Sequence, residues 1–201
     1  TAMDTARLFV AIELPEDLCH SLDRRLRLLR QAWPGTCWVQ PEALHVTLLF
    51  LGDTPLERRG ELDEAIGQAC RGHAARVCRL GGVGVFPDAR RPAVLWVGLD
   101  DGGALGRLAD DLRRSAARAG FAGDDRPFTP HLTLGRVRRP GRPAAAALDA
   151  LQRPSYADLG TLAVEQVSLV ASTLTPAGPR YSTLRRWPLG APAGAPEPAR
   201  A

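Results

Sequence analysis

Lysine is absent: all 26 basic residues of this 201-residue chain are arginine. Every positive side chain is therefore a planar guanidinium that stays charged at any working pH and whose fork matches phosphate oxygens. No apolar run approaches the length needed to cross a bilayer, so no membrane association is expected. The opening residues Thr1-Ala2-Met3-Asp4 lack the charged, apolar and small-residue layout of a secretory signal. Thr1 and Ala2 read as a cloning remnant ahead of Met3, and a cytoplasmic location is expected. Cys19, Cys37, Cys70 and Cys78 show no paired spacing, which argues against a disulfide framework or a four-thiolate zinc site. Cys70, His73 and Cys78 lie close together, but at an Arg-rich helix end without an evident carboxylate or fourth ligand. Structural cysteines and a solvated His73 are expected there.

What is present is ordinary in bulk. Apolar residues make up 45% and charged residues 24%, as in a soluble globular protein. The length suits one large domain or two small lobes. A net charge of +4 and a pI near 9.3 favour an anionic partner. The exclusive use of Arg, with abundant Ala, Gly and Pro, also reflects a GC-rich genome.

Arg7 to Leu14 is a short apolar run closed by Pro15 and reads as a strand. Leu18, Leu22, Leu26 and Leu29 recur at helical spacing between Pro15 and Ala32, and Pro34-Gly35 stops that helix. Trp38-Val39 is a brief strand, followed by a strand over residues 44–52 and a helix from about Pro55 to Cys70. Residues 76–85 and 93–99 read as strands. Leu105, Leu108 and Leu112 predict a helix over 103–119, ended by Gly120. A strand over 128–137, an Ala-rich helix over 143–152, and strands over 162–174 and 181–187 follow. From Leu189 onward Ala, Pro and Gly dominate, so residues 1–188 are read as one two-lobed domain and 189–201 as a disordered tail.

Two stretches carry the chemistry. Leu44-His45-Val46-Thr47-Leu48-Leu49-Phe50-Leu51-Gly52 and Pro130-His131-Leu132-Thr133-Leu134-Gly135 each set a His and a Thr two residues apart in an apolar run that ends in Gly. On a strand such residues share one face, so His45 stands beside Thr47 and His131 beside Thr133. Val46, Leu48, Phe50, Leu132 and Leu134 would then point into a core. Alone, either histidine reads as a half-buried sheet residue bonded to its threonine. Their repetition, with only four histidines in the chain, points to paired acid–base chemistry in a groove shared by two lobes.

With Arg7-Leu8-Phe9-Val10-Ala11-Ile12, Arg91-Pro92-Ala93-Val94-Leu95-Trp96-Val97-Gly98-Leu99, Phe128-Thr129-Pro130 and Gly178-Pro179-Arg180-Tyr181, these stretches resemble the 2H phosphoesterases. The closer likeness is to the RNA 2′,3′-cyclic phosphodiesterases, also called 2′-5′ RNA ligases. The resemblance implies a bilobal, duplicated α+β fold: two antiparallel-rich sheets with outer helices flank a central cleft. It implies opening of a 2′,3′-cyclic phosphate at an RNA end to a 2′-phosphomonoester, with reversible 2′-5′ ligation, and neither metal nor cofactor. By the same resemblance His45 is the proton donor, His131 the acceptor, and Arg136 a phosphate contact. The sequence alone leaves the two histidine roles interchangeable.

Two imidazoles on opposing strands suit in-line displacement, in which attacking and leaving oxygens lie on opposite sides of phosphorus. Thr47 and Thr133 can donate to the non-bridging oxygens as charge builds there. Strict alternation would put Arg136 on the wrong face, so an irregularity at Gly135 is expected to re-aim it. Phe9 and Trp38 are candidates for stacking on a base, and Tyr181, Arg180, Arg185 and Arg186 for lining the substrate path. The arginines of the last strand also read as a solvated edge.

The expected partner is RNA with a 2′,3′-cyclic phosphate end, met by a monomer with no obligate protein partner. Two alternatives stand beside this reading. One is a related phosphodiesterase for another cyclic or 2′,5′-linked nucleotide; the other is a non-catalytic RNA-binding module, which has no need of two imidazoles. A metal-dependent phosphoesterase is disfavoured, because no Asp/Glu/His cluster has ligand spacing.

Overall fold

The computed structural model describes residues 4–123, 127–138, 143–175 and 178–190. Strand β1 (Thr5–Glu13) is buried without a break from Leu8 to Ile12. It lies in the interior of its sheet and is covered on both faces, so it reads as a continuous apolar run rather than an alternating one. The helix expected over 15–32 divides at Leu26 into α1 (Glu16–Arg25) and α2 (Arg27–Ala32). The break keeps Leu22, Leu26, Leu29 and Trp33 all in the core. Acidic Glu16 and Asp17 open α1 and Arg24 and Arg25 close it, as the helix dipole favours.

Next come β2 (Thr36–Trp38), β3 (His45–Pro55) and α3 (Arg59–Cys70). They are followed by β4 (Arg76–Phe86), β5 (Val94–Asp100) and α4 (Ala104–Arg118). Helix α4 buries Leu105, Leu108 and Leu112 and stops before Gly120, whose φ of 79° only glycine adopts freely. The chain continues through β6 (His131–Val137), α5 (Ala145–Leu151), β7 (Gly160–Val164), β8 (Gln166–Thr175) and β9 (Gly178–Pro188).

The strands form two antiparallel sheets, ordered β3-β1-β8-β9 and β2-β6-β5-β4-β7. The single strand expected over 162–174 is in fact two. Glu165 and Gln166 are both exposed between buried Val164 and Val167, so alternation fails there and the chain passes from one sheet to the other. The lobes are therefore not the two halves of the sequence: β8 and β9 complete the sheet begun by β1 and β3, while β2 joins the second sheet. The pairs β1–β3 and β5–β6 occupy equivalent places, and each ends in a His/Thr strand.

Helices α3 and α4 pack on each other and on the first sheet, and α5 packs against β4 of the second. One apolar core runs through both lobes. A small separate cluster (Phe9, Ala11 and Val170, with Phe50) lies on the opposite face of the first sheet. Among the described residues no helix is long and apolar enough to cross a membrane. The tail expected from Leu189 falls, beyond residue 190, outside the described residues. Leu189 itself is buried and donates its N–H to Glu165, and Gly190 pairs with Ala74, so the folded part passes the expected limit of residue 188.

Candidate active site

Both His/Thr strands carry one extra residue directly after the threonine. On β3, Thr47 faces Ala11 and Leu49 faces Val10, which leaves Leu48 unpaired. On β6, Thr133 faces Trp96 and Gly135 faces Leu95, which leaves Leu134 unpaired. Each bulge buries two consecutive residues and shifts the following side chains to the other face. The expected irregularity before Arg136 is thus present, and Arg136 joins His131 and Thr133 on the cleft face. The same device on β3 overturns the expectation that Phe50 enters the core with Val46 and Leu48. Phe50 joins His45 and Thr47 instead, at the position equivalent to Arg136.

Close packing accompanies the β6 bulge. A Cβ at Gly135 would stand 2.6 Å from Thr36 Cγ2 and 2.9 Å from the Cys37 carbonyl oxygen, so only glycine fits against β2.

The two imidazoles are held alike. His45 Nδ1 donates to the Ala43 carbonyl at 2.8 Å, and His131 Nδ1 donates to the Thr129 carbonyl at 2.7 Å. A carbonyl only accepts, so each neutral ring carries its proton on Nδ1 and keeps Nε2 for exchange. Thr47, His131, Thr133 and Arg136 line one cleft of about 460 Å³, and His45 stands beside Thr47 on the same face of β3.

The surroundings of the rings differ. His45 is packed between Phe9, at 4.9 Å between centroids, and the edge of Tyr181, at 5.1 Å. Among the described residues, His131 has one aromatic neighbour, Phe86, nearly perpendicular to it at 5.1 Å between centroids. Burial lowers the His45 pKa below the ordinary imidazole value, opposed by the bond to Ala43 and the charge of Glu13.

Glu13 faces His45 across the β1–β3 ladder, where the second lobe has Gly98 opposite His131. Its carboxylate accepts from Ser168 at 2.6 Å, Thr183 at 2.7 Å and Arg186 at 3.0 Å. Burial pushes its pKa up, but these hydrogen bonds and the Arg186 charge outweigh it and hold the group below the ordinary carboxylate value. Burial raises the Tyr181 phenol, against the positive charges of Arg136 and Arg7.

These placements define the candidate cleft; comparison with known proteins places the chain in a family. The model of the 2′-5′ RNA ligase superfamily matches residues 14–173. The chain belongs to the 2′-5′ RNA ligase superfamily.

An Archaeoglobus fulgidus protein named RNA 2′,3′-cyclic phosphodiesterase is 34% identical over 179 residues, covering 89% of this chain and 98% of its own. A Thermus thermophilus protein of the same name is 34% identical over 191 residues, 91% of this chain and 90% of its own. Among solved structures, TT0787 of Thermus thermophilus superposes with a TM-score of 0.72 at 33% identity, covering 92% of this chain and 98% of that one. E. coli LigT complexed with 3′-AMP gives 0.71 at 29% identity, covering 92% and 99%.

Other expectations divide within this superfamily member. Phe9, a candidate stacking surface, is only 4% exposed and lies against His45 and Tyr181, so it supports the imidazole and offers no open face. Tyr181 is 36% exposed and stands at His45. Trp38 packs against the core under the Arg30 guanidinium, apart from the cleft lining. Arg185 pairs with Asp63 and covers Trp187, whereas Arg186 reaches Glu13.

His73 is not solvated as expected: its side chain is 9% exposed and its Nε2 meets Asp111 at 2.8 Å. Cys70 and Cys78 are buried, with pKa values pushed up to about 12 and about 11. Among the described residues no group of three His, Cys, Asp or Glu could hold a metal. Sequence reasoning missed Glu13, Phe86, Arg113 and Phe128. Phe128 opens the family-like stretch Phe128-Thr129-Pro130 but was given no role; the other three have partners from distant strands and helices, and no local pattern marks them.

Proposed function

We propose that this chain is an RNA 2′,3′-cyclic phosphodiesterase that opens terminal cyclic phosphates to 2′-phosphomonoesters, working as a cytoplasmic monomer on RNA ends. The observation that carries the reading is the matched tethering of two histidines, each with Nδ1 on the carbonyl two residues before it and each beside a threonine at the cleft.

In the forward reaction His131 Nε2 takes a proton from water as the water oxygen attacks phosphorus. The bond from phosphorus to the 3′-oxygen breaks, and protonated His45 Nε2 gives its proton to that oxygen, leaving a 2′-phosphate and a 3′-hydroxyl. Thr47 and Thr133 hydroxyls and the Arg136 guanidinium neutralise charge on the non-bridging oxygens as it develops. The scheme needs neither a metal nor a nucleotide cofactor. Run in the same direction with a 5′-hydroxyl in place of water, it opens the cyclic phosphate to a 2′-5′ linkage without an external energy source. One imidazole must be neutral while the other is charged, so turnover follows a bell-shaped pH profile.

The test is end-group analysis of an RNA bearing a 2′,3′-cyclic phosphate, incubated with a chelator present. The expected product carries a 2′-phosphate, and His45→Ala and His131→Ala each lower turnover by roughly 10²-fold or more. A 3′-phosphate product, or near-normal turnover in either variant, overturns the scheme.

A further inference from the structure

The cleft does not end at the histidines. It runs along β3 past Phe50 to a second wall made by Phe128 and by Arg113 of α4. A further cavity of about 440 Å³ shares Arg113, Pro127 and Phe128 with it, so the groove continues over the start of α4 at Gly106. From Thr47 to Phe50 the strand advances about 7 Å, because Leu48 is the extra residue of the bulge and adds no step along the ladder. One stacked nucleotide needs about 3.4 Å. The histidine and Arg136 end already accounts for the cyclic phosphate and its ribose.

The chemistry of the far wall is of another kind. Phe128 is half-buried, anchored on the core with part of its ring turned to the groove. Arg113 leaves about a third of its side chain exposed while Asp110 fixes it at 2.5 Å, a geometry that holds the guanidinium over the groove at the cost of part of its net charge. An aromatic ring beside a guanidinium is how single-stranded RNA is held without reading its sequence: the base stacks and the phosphate pairs.

Resting on the reading of the catalytic cleft given above, we propose that Phe128 and Arg113 form a subsite for the nucleotide that precedes the cyclic-phosphate end. The natural substrate class is then an oligoribonucleotide and not a mononucleoside 2′,3′-cyclic phosphate.

The test compares kcat/KM for a mononucleoside 2′,3′-cyclic phosphate with that for a trinucleotide ending in the same group. Wild type is expected to favour the trinucleotide by on the order of tenfold or more, the scale of a stacked base. Arg113→Gln should pull that ratio toward one through KM and reduce the salt dependence of trinucleotide kcat/KM by about 0.7 in log–log slope, as loss of one phosphate contact requires. Phe128→Leu keeps apolar packing on the core and should lower the ratio without changing that slope. Equal kcat/KM for the two substrates in wild type overturns this inference and spares the catalytic reading, as does an Arg113→Gln enzyme with unchanged ratio and slope. If wild type opens neither substrate, the catalytic reading falls and this inference with it.

Discussion

Replacing Gly135 with alanine tests whether the β6 bulge sets the site. The backbone there has no positive φ, so the obstacle is space alone. The added methyl would lie 2.6 Å from Thr36 Cγ2, 2.9 Å from the Cys37 carbonyl oxygen and 3.2 Å from Trp38 Cα, all on β2. Two of those atoms are backbone, so no side-chain rotation relieves the crowding and β2 or β6 must move by about half an ångström or more. Overpacking of this kind costs about 1–3 kcal/mol. In a chain of this size each kcal/mol lowers the melting temperature by about 2–4 °C, giving a fall of about 2–12 °C. The same shift displaces Arg136, the next residue, and misplacement by an ångström costs on the order of 10²-fold in rate.

Calorimetric melting and cyclic-phosphate turnover on one preparation read both effects. Gly60→Ala is the control: Gly60 is exposed in α3 with nothing within 4 Å of its added Cβ, and alanine there should stabilise by up to about 1 kcal/mol. A Gly135→Ala protein that melts and turns over like wild type refutes the packing argument.

Three further predictions concern charge. Glu13→Gln keeps the shape of the network but removes the carboxylate that raises the His45 pKa, so one limb of the pH–rate profile moves to lower pH. Movement of the alkaline limb assigns His45 as the proton donor and movement of the acid limb makes it the acceptor; two stationary limbs would remove Glu13 from the site. The His45 pKa is depressed by folding, so the unfolded chain binds more protons between that value and the ordinary imidazole value of 6.5. Its contribution to stability is therefore full above 6.5 and is lost as pH falls through the folded value. Urea unfolding of wild type across that range should show a loss that His45→Asn lacks, and parallel curves would contradict the depressed value. Arg136→Met should lower kcat by about 10²-fold or more while moving KM little, as for a group that meets charge only in the transition state. A change confined to KM would make Arg136 a ground-state contact.

The histidine pair was legible because His45 and His131 both precede their bulges, where simple alternation still holds. Past Leu48 and Leu134 alternation misleads, and it fails silently: Leu48-Leu49 and Leu134-Gly135 are apolar on either register, so nothing in residue type marks the extra position. Phe50 was misplaced for that reason. The corresponding shift at Arg136 was foreseen because the family resemblance makes Arg136 a phosphate contact, which strict alternation from His131 would not allow. The division at Glu165 did leave a trace, two polar residues in succession. The His73–Asp111 pair left none, since its members sit 38 positions apart and only the packing of α3 on α4 joins them. Helix α4 was read nearly to the residue because its leucine spacing and its terminal glycine agree.

The pairing of β1 with β8 has a consequence for biosynthesis. A ribosome releases β1 and β3 early, but the strands that complete their sheet are among the last to emerge. Until residue 188 is out, Ser168, Thr183 and Arg186 are not available to neutralise Glu13, and the ring of Tyr181 is not beside His45. A nascent or prematurely terminated chain therefore carries every residue of both His/Thr strands and still lacks a finished first half-site.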